Sequence, residues 1–431
     1  MIDKKNHLQY IFIEMKVFKF GGASVKDAEG VKNVVSVLNK VGKENTLVVV
    51  SAMGKTTNAL EVVIEQYRDK SPNLNKSIQD LINSHDGILT DLFGNPQHSI
   101  FDKIKAIFAD LQTMLDRNKS PKYDYIYDQV VSYGEIISTT ILSAYLEHVG
   151  YKNQWLDARS LVKTDSTYRD AKVDWEATQE AVVAAVDKKS LSITQGFIGA
   201  DTNNFTTTLG REGSDYSAAI FAYCLNAESV SIWKDVPGVL NGDPRVFKDT
   251  QLLNQISYEE AIELAFYGAS VIHPKTLQPL QQKEIPLYVK SFINPENPGT
   301  AVSKGQTLEP FVPCFIVKKN QVLISLSSLD FSFIVEENIS EVFSLFHKYQ
   351  IKVDLIQNSA ISFSVCVDNK FGHLQELINE LKAKFKVSYE EGVSLYTIRH
   401  FNDAAAKSLE ADNEILLKQL GTETYQIVTK A

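Results

Sequence analysis

Only three cysteines occur in the 431 residues, Cys224, Cys314 and Cys366, and no two form a C-x-x-C pair. A set that is odd in number and widely spaced excludes a disulfide framework and a thiolate zinc site, and it fits a reducing cytoplasm. No apolar run reaches the ~18 residues that cross a bilayer, so no membrane partner is expected. A basic surplus is missing as well: 53 acidic side chains face 44 basic ones, for a net charge of −9. That balance argues against a nucleic-acid partner, because phosphate backbones call for positive charge. A Walker phosphate loop is absent too, since Gly54-Lys55-Thr56 would need a glycine where Val49 stands. What is present is a hydrophobic fraction of 44% against 23% charged, ample for large cores. At roughly 150 residues per domain, the length predicts about three folding units.

Residues 1–14 are mixed polar and charged, and too short in apolar run for a signal peptide. They read as an extension upstream of a start at Met15, or equally as a mobile tail. From Val17 to Phe292 short β-rich runs alternate with helical stretches. Strands are expected at Lys16–Phe20, Thr46–Ser51, Ser192–Gln195, Ser229–Trp233 and Pro286–Phe292. Helices are expected at Ala28–Val41, Asn58–Arg68, Tyr127–Val149, Ser214–Asn226 and Tyr258–Tyr267. The strandless block Ser77–Arg117 reads as a helical excursion. This rhythm predicts a three-layer αβα sandwich with a mostly parallel sheet, over residues 15–296.

The Pro/Gly/Asn cluster Asn294–Gly305 predicts a boundary, with a linker over 297–312. Beyond it, residues 321–390 read strand, helix, strand, strand, helix, strand, the βαββαβ order of a ferredoxin-like module. A less complete set, residues 313–320 plus 391–431, predicts a second one, with its helix around Asn413–Leu420. The aromatic stripe Phe331, Phe333, Phe343 and Phe346 is expected to be module core.

Five constellations carry chemistry. In Lys19-Phe20-Gly21-Gly22, a lysine ends a strand and two glycines let backbone N–H groups approach an anion; taken alone it reads first as an ordinary turn. Thr206 to Asp215 (TTTLGREGSD) sets Arg211 between glycines ahead of a helix, suited to a carboxylate or phosphate rather than a plain polar loop. Lys234-Asp235-Val236-Pro237-Gly238, followed by Asp243-Pro244-Arg245, sits at a strand's carboxyl end, where α/β sheets bind ligands. Ser51 to Asn58 is a polar loop at another strand end. Glu135 lies in an otherwise apolar helix and needs a cationic partner, from protein or ligand.

These signals, in this order and with GASVIHPKT at Gly268–Thr276, resemble the aspartate kinases of the amino-acid kinase superfamily. The resemblance runs from Lys16 to the C-terminus, because tandem ACT modules are that family's regulatory tail. The chain is expected to be monofunctional, since it stops short of a homoserine dehydrogenase. The resemblance implies transfer of the γ-phosphoryl group of MgATP to the β-carboxylate of L-aspartate, giving 4-phospho-L-aspartate. That is the first step of lysine, threonine and methionine biosynthesis. A carboxylate with a pKa near ~3.9 is already ionised, so no general base is required.

By the same resemblance, Lys19 and Asp215 are catalytic, with Asp215 orienting groups or joining the metal shell rather than acting as a base. Ser51, Thr57, Glu135, Arg211 and Ser214 contact aspartate, Glu135 taking its α-ammonium and Arg211 a carboxylate. Lys19, Gly21, Gly22, Lys234, Asp235 and Arg245 serve ATP; no protein metal ligand is assigned. Four residues depart from the family pattern: Ala23 for Thr, Glu212 for Gly, Leu240 for a nucleotide-stacking Tyr and Ser270 for a Lys near ATP. Lys275 or Lys234 is expected to offset the last.

The stretch Ile351–Ser359 resembles an ACT effector-binding segment, with Asp354 for the ammonium and Asn358 and Ser359 for the carboxylate of lysine or threonine. Simple dimerisation through the module edges is the alternative, and a homodimer or homotetramer is expected. Two rival functions stay open: another enzyme of the superfamily (glutamate 5-kinase, carbamate kinase or a nucleotide kinase), or a catalytically weak amino-acid sensor.

Overall fold

The computed structural model describes residues 14–269, 272–330, 332–370, 372–411 and 413–430. The upstream segment before Glu14, together with Ser270 and Phe331, lies outside the described residues.

The strands are β1 (Lys16–Phe20), β2 (Thr46–Val50), β3 (Asn153–Leu156), β4 (Leu191–Gln195), β5 (Ile198–Ala200), β6 (Thr206–Thr208), β7 (Ser229–Lys234), β8 (Gln255–Ser257), β9 (Leu287–Ser291) and β10 (Thr300–Ser303). In the C-terminal part they are β11 (Cys314–Ser327), β12 (Lys352–Asn358), β13 (Ser362–Asp368), β14 (Lys386–Arg399), β15 (Ile415–Leu420) and β16 (Thr424–Thr429). The chain forms two compact units. One holds the residues through Val239 with Asn254–Tyr258 and Ile272–Thr307; the other holds Leu240–Leu253, Glu259–Val271 and Leu308 onward.

The first unit is built on an eight-stranded sheet, β3-β4-β2-β1-β7-β9-β10-β8, parallel except where β10 meets β9. Every residue of β2 is buried, as are four of five in β1, so helices cover both faces. Phe18, Phe20, Val48 and Val50 face a core shared with Val31, Val34 and Leu38 of the Ala28–Val41 helix. That helix starts where Asp27 accepts a hydrogen bond from Gly30 N–H at 2.8 Å. The helical excursion is two helices, Leu74–Phe93 and Ser99–Arg117. Inside the segment expected as linker, Thr300–Ser303 continues the sheet as β10.

The second unit carries a six-stranded antiparallel sheet, β12-β13-β11-β14-β16-β15. The 14-residue strands β11 and β14 run through both modules, and their register shifts between Lys318 and Val322. On one side of that shift Val322, Ile324 and Leu326 pack under the Glu336–Lys348 and Leu374–Lys382 helices, completing a βαββαβ module. On the other side Ile398, Tyr425 and Ile427 pack under a single helix, Asp403–Glu410.

Two expectations are corrected here. Asn413–Leu420 is not a helix: Ile415–Leu420 is edge strand β15, paired with β16, and the module's helix is Asp403–Glu410. The run Ile415-Leu416-Leu417 suits either period, and the free edge of β16 decided it. In the aromatic stripe Phe346 is core, but Phe333 is 72% exposed.

Candidate active site

Parallel register brings the strand ends together. Phe20 pairs with Val50 and with Trp233, and Val50 pairs with Gln195. The segments that follow, Gly21–Gly22, Ser51–Thr57, Lys234–Asp235 and Gly196, therefore leave one carboxyl edge of the sheet.

Strand alternation turns Lys19 away from the Phe18–Phe20 face. Its Nζ lies 2.6 Å from Asp215 Oδ1, and Lys234 Nζ lies 3.6 Å from Asp215 Oδ2. Asp215, in the first turn of the Gly213–Leu225 helix, is completely buried. Burial alone would raise its pKa, but the two lysine charges outweigh that and hold the carboxyl below its ordinary range. A carboxylate gripped this way is a poor base and a good fixed anchor for two cations.

Of the two glycines, Gly22 is required by contact. A Cβ on Gly22 would lie 2.7 Å from the Ala52 carbonyl oxygen, and Gly54 N–H donates to Gly22 O at 3.0 Å. A Cβ on Gly21 would meet Lys19 Nζ at 3.4 Å. Behind this loop lies Glu135, 3% exposed in the Tyr123–His148 helix. Ala52 N–H donates to its Oε1 at 3.4 Å, while its Oε2 is buried without a hydrogen-bond partner among the described residues. Burial pushes the carboxyl up to about 8, only partly offset by the Ala52 N–H. The expected protein cation is thus not found beside Glu135 among the described residues. Ser51 and Thr57 are half-buried on the same loop, which Ser138 Oγ ties down by donating to Ser51 O at 2.8 Å.

Arg211 is exposed, in the turn between β6 and the Gly213–Leu225 helix. A Cβ on Gly196 would collide with Ser214 Cα at 2.8 Å, so the half-buried Ser214 sits against the end of β4. Glu212 takes φ 55°, a left-handed conformation that glycine adopts more cheaply. His273 is a helix cap, accepting from Lys275 N–H at 3.2 Å, and Lys275 is ion-paired to Asp170.

Two residues of this site were missed in the sequence. Asp128 accepts hydrogen bonds from Thr208 N–H at 2.7 Å, Thr208 Oγ1 at 2.8 Å and Arg169 N–H at 3.0 Å. Gln129 brackets Thr206, donating to its carbonyl at 2.7 Å and accepting from its N–H at 3.2 Å. Together they hold the β5–β6 hairpin that ends in the Arg211 turn. Asp128 stands seven residues before Glu135, on the same helical face, and that spacing was the available signal.

The other predicted residues, Asp235 apart, belong to the second unit. Arg245 is exposed and forks onto Asp243 at 2.7 Å. Leu240 bridges to Leu252. Asp354 does not offer a free carboxylate: Lys318 Nζ lies 2.8 Å away and Lys352 Nζ 3.2 Å away. Asn358 and Ser359 are exposed at the β12–β13 turn, where Ser359 N–H donates to Ser362 O at 2.8 Å. Asp235, beside Lys234 in the first unit, is exposed.

Comparison with known proteins places this geometry. The Amino acid kinase family model matches residues 14–291. The lysine-sensitive aspartokinase 3 of Escherichia coli is 32% identical over 397 residues, covering 89% of this chain and 87% of that protein. The crystal structure of E. coli aspartokinase III in complex with lysine and aspartate, its T-state, superposes with a TM-score of 0.80 at 30% identity, covering 96% of this chain and 95% of that one. Its R-state complex with aspartate and ADP gives 0.80 at 29%, covering 97% and 96%. With a lysine-gripped Asp215 and a buried Glu135 on the carboxyl edge of the matched fold, the chain belongs to the amino acid kinase family and, within it, to the aspartokinases.

Proposed function

We propose that the chain phosphorylates the β-carboxylate of L-aspartate with MgATP, making 4-phospho-L-aspartate. The observation that carries this reading is Glu135, a buried carboxyl beside the substrate loop, one of whose oxygens has no hydrogen-bond partner among the described residues. A buried acid in that state takes an ammonium, which an amino acid has and carbamate lacks. Arg211 then binds a substrate carboxylate, with Ser51, Thr57 and Ser214 completing the contacts.

The residues present fit a nucleotide. A backbone cradle that a side chain on Gly22 would fill lies next to two lysines fixed by Asp215. Lys19, Gly21, Gly22, Lys234 and Asp235 are assigned to the phosphates, and Mg²⁺ supplies charge neutralisation when bound with them. Two anions must be brought together in this reaction. The barrier is lowered mainly by cations and N–H groups already aimed at the transferring group. The E. coli relative binds ADP and aspartate, which supports both substrates.

Feedback regulation by lysine or threonine through the ACT modules, a homo-oligomer joined by them and a cytoplasmic location complete the proposal. So do a catalytic domain over 15–296 and modules at 321–390 and 313–320 plus 391–431. Because Lys318 and Lys352 already hold Asp354, an effector's ammonium has to share or displace them. Capture of acyl phosphate as hydroxamate, with L-aspartate set against L-glutamate, tests the reaction. Product from aspartate alone is expected. Product from glutamate, or from neither, would overturn it.

A further inference from the structure

The Arg211 turn has a carboxylate pressed against it that the proposed reaction does not use. A Cβ on Gly210 would lie 2.6 Å from Asp170 Oδ1 and 3.2 Å from the Arg169 carbonyl oxygen. Asp170 cannot back away, because the residues on either side of it are tied down. Arg169 N–H donates to Asp128 at 3.0 Å, and Ala171 N–H donates to Thr208 O at 2.9 Å. Consecutive Cα atoms stand about 3.8 Å apart, so the Asp170 oxygen lies within the sweep of the Arg211 guanidinium. Arg211 nevertheless has no ion pair among the described residues, and Asp170 is paired to Lys275 instead. Lys275 sits in the first turn of the Pro274–Lys283 helix, which His273 caps. The His273 imidazole lies among the same charges. Burial, and then Arg211, lowers its pKa, with Lys275 acting in the same sense and Glu212 and Asp170 in the opposite one. An imidazole held below its ordinary range is neutral at pH 7, so the positive charge that meets Asp170 is that of Lys275.

We infer that Lys275 guards the substrate arginine: by holding Asp170 it keeps that carboxylate off Arg211, whose guanidinium stays open to a carboxylate of aspartate. Two carboxylates compete for one fork. The internal one is delivered by the chain at high effective concentration, so an unneutralised Asp170 would take a share of Arg211 from the free substrate. This inference rests on the role given to Arg211 in the proposed reaction. It also places Lys275 with the amino acid and not with the nucleotide. The pair is exposed, Lys275 at 38% and Asp170 at 65%, so its effect is modest and is screened by salt. An ordinary ion pair predicts equal damage from the loss of either partner. A guard predicts the opposite: losing the lysine does harm, and losing the aspartate removes the need for it.

The full chain is compared with Lys275→Met, Asp170→Asn, the double variant, Lys275→Arg and Arg211→Met. Aspartate affinity is read as KM in saturating MgATP and as Kd by calorimetry. Lys275→Met should weaken it about three- to fivefold with little change in kcat, the size that an exposed ion pair commands. Asp170→Asn and the double variant should stay within about 1.5-fold of wild type, and Lys275→Arg should match wild type. Both single variants lose the same pair, so their melting temperatures should fall alike. A merely structural bridge would move their aspartate affinities together as well, and that outcome would overturn the guard. So would a Lys275→Met affinity equal to wild type, a loss that Asp170→Asn fails to rescue, or an effect confined to the KM for MgATP. Arg211→Met tests the reading beneath. If it leaves aspartate affinity unchanged, the role of Arg211 fails and the guard falls with it; if it weakens affinity while Lys275→Met does not, the guard alone fails.

Discussion

Lys19 is shared between two tasks, holding Asp215 at 2.6 Å and presenting charge beside Gly21. Removing it deletes a preorganised cation, so Lys19→Ala should lower kcat on the order of 10²–10³. Steady-state kinetics with saturating MgATP checks this, and a loss below about threefold would move the role elsewhere. Glu135 makes a prediction in pH. Its carboxyl rises from 4.5 to about 8 through burial, so between those values the folded protein keeps a proton that the unfolded chain has lost. Stability from this group is therefore complete below pH 4.5 and is lost as pH rises through about 8. An ammonium placed beside it reverses the shift. Aspartate binding at neutral pH should therefore release protons, seen calorimetrically as a binding enthalpy that depends on the buffer. Glu135→Gln should remove the dependence, and a wild-type enthalpy equal in all buffers would take Glu135 out of the ammonium site.

At the scale of elements, the Arg211 turn is only as well placed as the β5–β6 hairpin before it, and Asp128 pins that hairpin. Burial raises the Asp128 carboxyl to about 6 even though Arg169 and Thr208 donate to it. Asp128→Ala would leave buried N–H groups unmade, at a cost of about 2–4 kcal/mol. The melting temperature should fall and the apparent KM for aspartate should rise with it. A stable variant with unchanged KM would show that the hairpin is positioned by other contacts. The same scale explains Glu212, which occupies a left-handed position that glycine adopts more cheaply. The conformation belongs to the turn and not to the residue.

The whole molecule is organised by interleaving. The second unit is assembled from Leu240–Leu253, Glu259–Val271 and the C-terminal part of the chain. Within it Arg399 Nη2 meets Glu260 Oε2 at 2.7 Å with each side chain 10% exposed, and His400 Nε2 lies 3.0 Å from the same oxygen. Breaking a buried pair strands the surviving charge, so Arg399→Met should cost about 3–5 kcal/mol. The double variant Arg399→Met, Glu260→Met should recover much of it. Denaturant unfolding of all four proteins measures the coupling, and additive single effects would show that the pair does not hold the segments together.

The sequence by itself determined the alternation of strands and helices, the βαββαβ tail and the polar motifs at strand ends. Those signals are local: hydrophobic period, glycine beside charge and the order of motifs along the chain. The Ala28–Val41 helix is legible because its apolar positions repeat at helical spacing behind an Asp cap. Only the tertiary structure decided what pairs with what. Ile415–Leu420 is a strand because β16 offers it an edge, and Thr300–Ser303 joins the large sheet because β8 and β9 flank it. Asp354 is occupied by Lys318, and Asp215 is shared by Lys19 and Lys234, through residues distant in the chain. Charge pairing and edge pairing depend on distances in space, which neither local propensity nor motif spacing encodes.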